Sequence, residues 1–357
     1  MKILCIRLRA IGDVVVTTPV YRALARQLGA EVHVLVQSVP AQVLRHNPHI
    51  SRLILHGTPE AEVARLRAER YDLVVDLHCN LRSHRLRLAL GRPTLGYRKR
   101  NFEKWLLTRG IDLLGREHLV DRYFRALEPL GVVDDGGGLD YYPQPGELAS
   151  ARAELSSGGD PEPTGDFVAL VLAATRYTKR PTPELAAGII AGATEPVVLF
   201  GGDDVRELAA AVLALLTPAQ RARTLDSCGR LTLRKSCALL GAARVVVTPD
   251  TGLMHVAAAL GRPIVTLWGN TAPGFGMYPF NARAQPTQVR DALVEGLGCH
   301  PCSRIGYDAC PRGHFRCMRE QDVAAITASS VGTESTAAGE PGRRLAPPPP
   351  PPPASAP

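Results

Sequence analysis

The feature that most narrows the fold of this chain is an alternation along its length. Short runs that are apolar on both faces, at residues 2–8, 31–36, 53–55 and 73–77, are separated by amphipathic helical stretches such as 20–28 and 60–70. A strand that is apolar on both sides must be covered on both sides, which is the pattern of a parallel sheet with helices on each face. The stretch 134–165 interrupts the pattern with Asp134-Asp135-Gly136-Gly137-Gly138, then Ser156-Ser157-Gly158-Gly159 and Pro161-Glu162-Pro163. A linker across part of it is expected. The alternation then restarts, with strands at 167–173, 196–200, 244–248 and 264–268 and helices at 183–193, 205–216, 233–240 and 252–260. Two Rossmann-like α/β domains follow, 1–155 and 166–327. Beyond them the chain turns to Ser, Thr, Gly and Ala and then to seven prolines, Pro347 to Pro353. Such a composition cannot bury a core, so a disordered tail over 328–357 is expected.

Composition removes several classes. A length of 357 residues suits two domains at about 150 each. No run of about 18 uncharged apolar residues is present, so no spanning helix is expected. The first strand is followed at once by Arg7 and Arg9, and no secretory signal is readable. Eight cysteines in a chain of this length without an export signal favour reduced thiols and a cytoplasmic protein. The net charge of +8 invites a nucleic-acid reading, but 18 aromatic residues give few stacking platforms, so no nucleic-acid partner is expected. No Gly-x-Gly-x-x-Gly occurs, so there is no dinucleotide fingerprint and no cofactor is expected.

Chemistry-bearing residues fall where strands end, and in open α/β sheets ligands bind beyond the carboxyl ends of the strands. After the first strand come Ile11-Gly12-Asp13, then Thr17-Thr18-Pro19 opening a helix, with Thr18 a suitable N-cap and Pro19 a suitable first residue. Asp13 either takes a proton from a hydroxyl as a general base or only caps the turn. After the strand 167–173 comes Thr175-Arg176-Tyr177-Thr178-Lys179. Lys179 is a compact cation able to stabilise a leaving nucleoside diphosphate, or else a solvated loop lysine. After the strand 244–248 comes Pro249-Asp250-Thr251-Gly252-Leu253-Met254-His255. Free N–H groups at that helix start, with the Thr251 hydroxyl, form an anion site suited to a diphosphate, and His255 lies one turn in. The plainer alternative is an N-cap Asp followed by a surface His. Gly201-Gly202-Asp203-Asp204 leaves another strand and either wraps a nucleoside or makes a tight turn. No Asp-x-Asp occurs, so a metal-bridged diphosphate is not expected.

Taken together these segments resemble glycosyltransferase family 9, the ADP-heptose:lipopolysaccharide heptosyltransferases. The resemblance rests on Lys2-Ile3-Leu4, Ile11-Gly12-Asp13-Val14-Val15, Thr17-Thr18-Pro19, Thr175 to Lys179, Asp250 to His255 with Ala257-Ala258, Trp268-Gly269-Asn270-Thr271 and the terminal Cys-x-Pro-Cys with its two later cysteines. It covers about residues 1–325. It implies a GT-B fold, two Rossmann-like domains facing a central cleft, and inverting, metal-independent transfer of a sugar from a nucleotide sugar. Carried over, Asp13 is the catalytic base, and Thr175, Lys179, Asp250, Thr251, Gly252 and His255 bind the donor. The implied donor is ADP-heptose and the implied acceptor a lipopolysaccharide core or related envelope glycolipid. Another nucleotide sugar in O-antigen or capsule assembly, or a binding protein without turnover, are the alternatives. The chain departs from the family pattern at Arg180-Pro181, at Asp203-Asp204 and over 275–280.

Two features remain. Cys299, Cys302, Cys310 and Cys317 begin with a zinc-ligand spacing but lack a second Cys-x2-Cys, so a thiolate metal site, a disulfide and reduced structural thiols all stay open. The excess charge lies entirely in residues 1–135, which hold 22 Lys and Arg against 14 Asp and Glu. Arg82, Arg85 and Arg87 begin a basic run with no acid between Leu77 and Phe102. In the resembled fold the N-terminal half receives the acceptor. These arginines are therefore expected to bind an anionic glycolipid, with peripheral contact at the inner membrane face.

Overall fold

The protein was analysed as a computed structural model, which describes residues 1–157 and 166–331. The strands are β1 (Lys2–Ile6), β2 (Glu31–Val36), β3 (Arg52–Leu55), β4 (Leu73–Asp76), β5 (Thr94–Gly96), β6 (Val168–Val171), β7 (Val197–Phe200), β8 (Thr224–Asp226), β9 (Val245–Pro249), β10 (Ile264–Leu267) and β11 (Val289–Ala292). They form two sheets, ordered β3-β2-β1-β4-β5 and β11-β10-β9-β6-β7-β8. Every strand pairing in both is parallel. This is the GT-B arrangement of two α/β layers.

Strand composition explains the layering. Along β1, Ile3 and Cys5 point into one apolar cluster while Leu4 and Ile6 point into another, and all four are fully buried. Along β6, Ala169 and Val171 face the cluster shared with Ile3, whereas Val168 and Leu170 face a third. The period of two sends alternate side chains to opposite faces, and both faces are covered. One cluster joins the halves, running from Val14, Val15 and Val16 to Leu253, Met254 and Val256.

The order of the strands sets the site. In the first sheet the direction of winding reverses between β1 and β4, and in the second between β6 and β9. Connections leave to opposite sides at such a point and open a crevice beyond the strand ends. The segments carrying Asp13, Lys179 and Asp250 follow β1, β6 and β9.

Some elements escape a reading of apolar periodicity. β5 and β8 are three residues long, and β11 carries exposed Arg290 and Asp291. The helix Leu81–Leu90 is specified by its ends: Asn80 and Ser83 form a capping box, and Gly91 closes it in the left-handed conformation at φ 62°. Inside the stretch read as a linker lies the helix Glu147–Ser156. It packs on the helix Leu233–Leu240 of the second half, with Glu147 paired to Arg234 at 2.5 Å and Glu154 to Lys235 at 2.5 Å. The Asp134–Gly138 turn is also held, because Asp135 and Asp140 both pair with Arg22. Thr18 is not an N-cap. It is the first residue of the helix Thr18–Leu28, fully buried, and its hydroxyl donates to the Val15 carbonyl at 2.7 Å. The last helix, Val323–Val331, carries ordered structure past residue 327. The tail from 332 on, including the proline run, lies outside the described residues.

Candidate active site

The site is built from two loops that meet at two glycines. After β1 the chain passes Ala10 at φ 62°, a strained conformation for a residue with a side chain, and enters the short helix Ile11–Val15. Across the cleft, Thr251 precedes the helix Gly252–Ala259. A Cβ on Gly12 would stand 2.7 Å from His255 Cδ2, and a Cβ on Gly252 would stand 2.8 Å from Ile11 Cβ. At either distance a side chain would force the facing residue to shift, so glycine is what lets the loops cross this closely, and the close approach brings Asp13 opposite the second half's loop.

Asp13 Oδ2 forms an ion pair with Arg7 Nη2 at 2.7 Å. Arg7 is buried, and its Nη1 also donates to the Leu77 carbonyl at the end of β4. The side chain of Asp13 is one-third exposed at 33%, so the pair fixes the carboxylate without sealing it from the cleft. Oδ1 has no protein partner among the described residues. Asp13 does not cap a helix end, for the helix it sits in has no side-chain cap.

On the facing wall Lys179 Nζ lies 2.6 Å from Asp250 Oδ2, with the two side chains only 10% and 13% exposed. Thr271 Oγ1 donates to the same oxygen at 2.9 Å. Asp250 is therefore not an N-cap, and Lys179 is not a solvated loop lysine. The cap residue of the helix Gly252–Ala259 is Thr251, whose side chain makes no capping bond. The first N–H groups of that helix have no partner within the helix and carry the positive end of its dipole.

His255 is buried, and burial pushes its pKa down to about 4, against the pull of Asp250 and Asp13. It is neutral at pH 7, and its Nδ1 has no partner. His118 is also buried, and burial, with His255 adding, holds its pKa near 3. Its Nδ1 accepts from the Val120 N–H, so its Nε2 donates to the Tyr278 carbonyl at 3.0 Å. That bond ties the helix Leu119–Leu127 of the first half to the 278–280 loop of the second.

Asp13, Thr175, Lys179, Asp250, Thr251, Gly252 and His255 line one cleft of about 480 Å³. The cleft also draws in Arg7, Tyr97, Lys99, Lys104 and Arg304, of which the sequence pointed only to Lys99, as part of the basic run expected to meet an anionic glycolipid. With Arg7 committed to Asp13 and Lys179 to Asp250, the last three supply its unbalanced positive charge. Burial presses Lys104 down to about 8, with Arg122 and Arg304 adding. Burial also lowers Lys99, with Arg7 adding. A cation that gives up affinity for its proton by desolvation regains it when an anion arrives. The signal for Lys99 and Lys104 was available in part: they are two of only five lysines in a chain with 37 arginines.

Residues 62–302, two-thirds of the chain, match Glycosyltransferase family 9 (heptosyltransferase). The chain belongs to glycosyltransferase family 9. It is a glycosyltransferase, as the resemblance implied. Among curated relatives, lipopolysaccharide heptosyltransferase 2 of Escherichia coli K12 is 29% identical over 302 residues, covering 77% of this chain and 84% of that one. Two solved structures share the fold. A family 9 glycosyltransferase from Veillonella parvula aligns at a TM-score of 0.71 with 22% identity, over 92% of this chain and 96% of that one. The ADP-heptose lipopolysaccharide heptosyltransferase II of E. coli aligns at 0.64 with 24% identity, over 92% and 100%.

Within this family 9 chain Arg82, Arg85 and Arg87 are not among the cleft residues. They lie on the helix Leu81–Leu90, which starts just beyond the carboxyl end of β4. Arg82 and Arg85 are exposed, while Arg87 bonds His84 at 2.7 Å and approaches Asp76 at 4.0 Å. Two of the three departures from the family pattern touch each other, since Arg180 Nη2 pairs with Asp204 Oδ2 at 2.5 Å. Cys299, Cys302, Cys310 and Cys317 are all free thiols, and Cys299 Sγ lies 3.7 Å from His314 Nε2. Among the described residues no group of three or more His, Cys, Asp or Glu side chains is arranged to hold a metal ion.

Proposed function

We infer that this glycosyltransferase moves heptose from ADP-heptose onto a lipopolysaccharide core or related envelope glycolipid, by inverting transfer without a metal. The observation that carries the reading is the facing of Asp13 against Lys179, Thr251 and the start of the helix Gly252–Ala259 across one cleft. In the proposed step the acceptor hydroxyl gives its proton to Asp13 and its oxygen bonds the anomeric carbon. The bond from that carbon to the diphosphate breaks on the opposite side, and the electron pair leaves with the nucleoside diphosphate. One displacement inverts the centre and needs one base and a stabilised leaving group. Lys179 and the free N–H groups of the helix start meet the departing charge, with Thr175, Asp250, Thr251, Gly252 and His255 holding the donor. The donor and acceptor are read from the E. coli relatives, named for lipopolysaccharide and ADP-heptose.

In this reading residues 1–155 form the acceptor domain and 166–327 the donor domain. Arg82, Arg85 and Arg87 attract the acceptor's anionic groups at the rim of the cleft, and the enzyme works in the cytoplasm against the inner membrane face. Among the described residues no helix is long and apolar enough to cross a membrane. The Arg180–Asp204 pair, at a turn leaving β7, favours a second reading in which another nucleotide sugar is the donor. A thermal-shift panel separates the two, since a ligand that binds the native state raises the unfolding temperature. ADP-heptose should stabilise the protein most and support transfer to a heptose-deficient core. A larger shift with another nucleotide sugar, and transfer of that sugar, would replace heptose in the proposal.

A further inference from the structure

The segment from Arg98 to Arg116 carries a surface that the chemistry of the cleft does not use. Its helix, Asn101–Leu107, is anchored inward by Leu107, which packs with Leu114 and Phe275. The outward side holds Phe102 and Trp105, 67% and 49% exposed, with their rings stacked at 5.9 Å. Ile111 and Leu113, just beyond, are 50% and 55% exposed. Four large apolar side chains exposed within twelve residues of chain exceed the scatter of single hydrophobes on a normal surface.

The same segment is strongly basic. Arg98, Lys99, Arg100, Lys104, Arg109 and Arg116 face only two acids, Glu103 and Asp112. Glu103 is already taken by Arg98 and Arg100. Arg109 lies over the Trp105 ring at 4.8 Å, leaving its charge beside the aromatic pair. The run from Leu81 to Arg116 carries ten basic and two acidic residues, an excess equal to that of the whole chain. Aromatic and aliphatic side chains ringed by unbalanced cations complement one kind of surface, an anionic bilayer with an apolar interior under a negative headgroup layer. An aromatic with a polar edge settles at that boundary.

The position of the patch gives it a use. Asn101 and Lys104, on the same helix, line both the catalytic cleft and an adjoining cavity of about 680 Å³, whose wall includes Trp105. We propose that Phe102, Trp105, Ile111 and Leu113, with Arg98, Arg109 and Arg116, dock the enzyme on an anionic lipid bilayer so that the cleft opens at the membrane surface. This rests on the proposed function insofar as a lipid-anchored acceptor needs such placement.

The test uses the full chain and vesicles of phosphatidylcholine, alone or mixed with phosphatidylglycerol. The chain has two tryptophans, and Trp268 is 1% exposed, so a change in emission reports Trp105. Sedimentation with the mixed vesicles, a blue shift and quenching by brominated acyl chains are expected. A Phe102→Ser, Leu113→Ser double variant should lose on the order of tenfold in vesicle affinity. The same variant should keep its kcat on a soluble, delipidated acceptor. Equal sedimentation with both vesicle types overturns the proposal. So does charge-driven binding without quenching, or burial of the patch in a dimer seen by analytical ultracentrifugation. Vesicle binding without sugar transfer would instead leave the docking surface standing and remove the proposed function.

Discussion

The two ion pairs that face each other across the cleft use the same ingredients to different ends. Arg7–Asp13 follows the first strand of one sheet, and Lys179–Asp250 joins the ends of the two central strands of the other. In the first pair the cation is buried and the carboxylate is one-third exposed. In the second both partners are nearly closed off from water, and a hydroxyl from Thr271 completes the carboxylate. The open carboxylate can exchange a proton with a substrate. The closed pair is a cation held in place by a counter-ion, which in the proposed reading would turn toward the donor's diphosphate. In the same reading, what separates the base from the anion site is whether the fold leaves the carboxylate of the pair exposed.

The largest effect should come from removing the open carboxylate. Asp13→Asn keeps the shape and removes the base, so kcat should fall by roughly a hundred- to ten-thousand-fold. The thermal shift given by the nucleotide sugar should stay close to that of the wild type. Unchanged turnover would end the assignment of the base. At the closed pair the loss should divide between function and stability. Lys179→Met leaves Asp250 buried and uncompensated, which costs about 3 kcal/mol in a denaturant titration. Adding Asp250→Asn should restore most of that stability but not the affinity for donor. A single variant as stable as the wild type would show that the pair does not behave as buried.

The meeting point of the two loops should respond more mildly. Gly12→Ala drives a methyl against His255, and overpacking of this kind costs about 1–3 kcal/mol. A drop in unfolding temperature with a drop in kcat is expected, and no change in either would mean that the loops separate freely in solution. The last effect is a pH dependence, which appears only below the neutral range. The folded-state pKa of His255, near 4, lies below its ordinary value of 6.5. The unfolded chain thus binds the extra proton first, and stability rises with pH across that window. The contribution is complete above about pH 6.5 and lost as pH falls through 4. His118, held near 3, and His78, held near 4 by burial with Arg7 and Lys99, act in the same direction. His255→Gln should flatten the fall in denaturation midpoint between pH 7 and 4 without abolishing it.

Much of this was legible beforehand, for identifiable reasons. The strands at residues 2–8, 31–36, 167–173 and 244–248 announce themselves because a strand covered on both faces has to be apolar throughout. Asp13, Thr175, Lys179, Asp250, Thr251, Gly252 and His255 share one cleft because each follows a strand end, and chain order is enough to see that. β5, β8 and β11 do not stand out because they are short and carry polar residues or glycine (Thr94 and Gly96, Thr224 and Asp226, Arg290 and Asp291) in place of an apolar run. The helix Glu147–Ser156 was missed because its flanking glycines, serines and prolines read as a linker. Arg7 reads as part of a strand's end, although its guanidinium pairs with the Asp13 carboxylate.

The sequence by itself determined the parallel α/β class, the two halves and the segments that carry chemistry, since periodicity and chain order are properties of the chain. Only the tertiary structure decided which side chains hold one another. The pairing of Asp13 with Arg7, the closing of Lys179 onto Asp250 and Thr271, and the entry of Lys99, Lys104 and Arg304 into the cleft join residues from a few to over two hundred positions apart. Such neighbours are fixed by the sheet order and by the glycine crossing of the two loops. No local pattern encodes a distance between residues that the chain itself keeps apart.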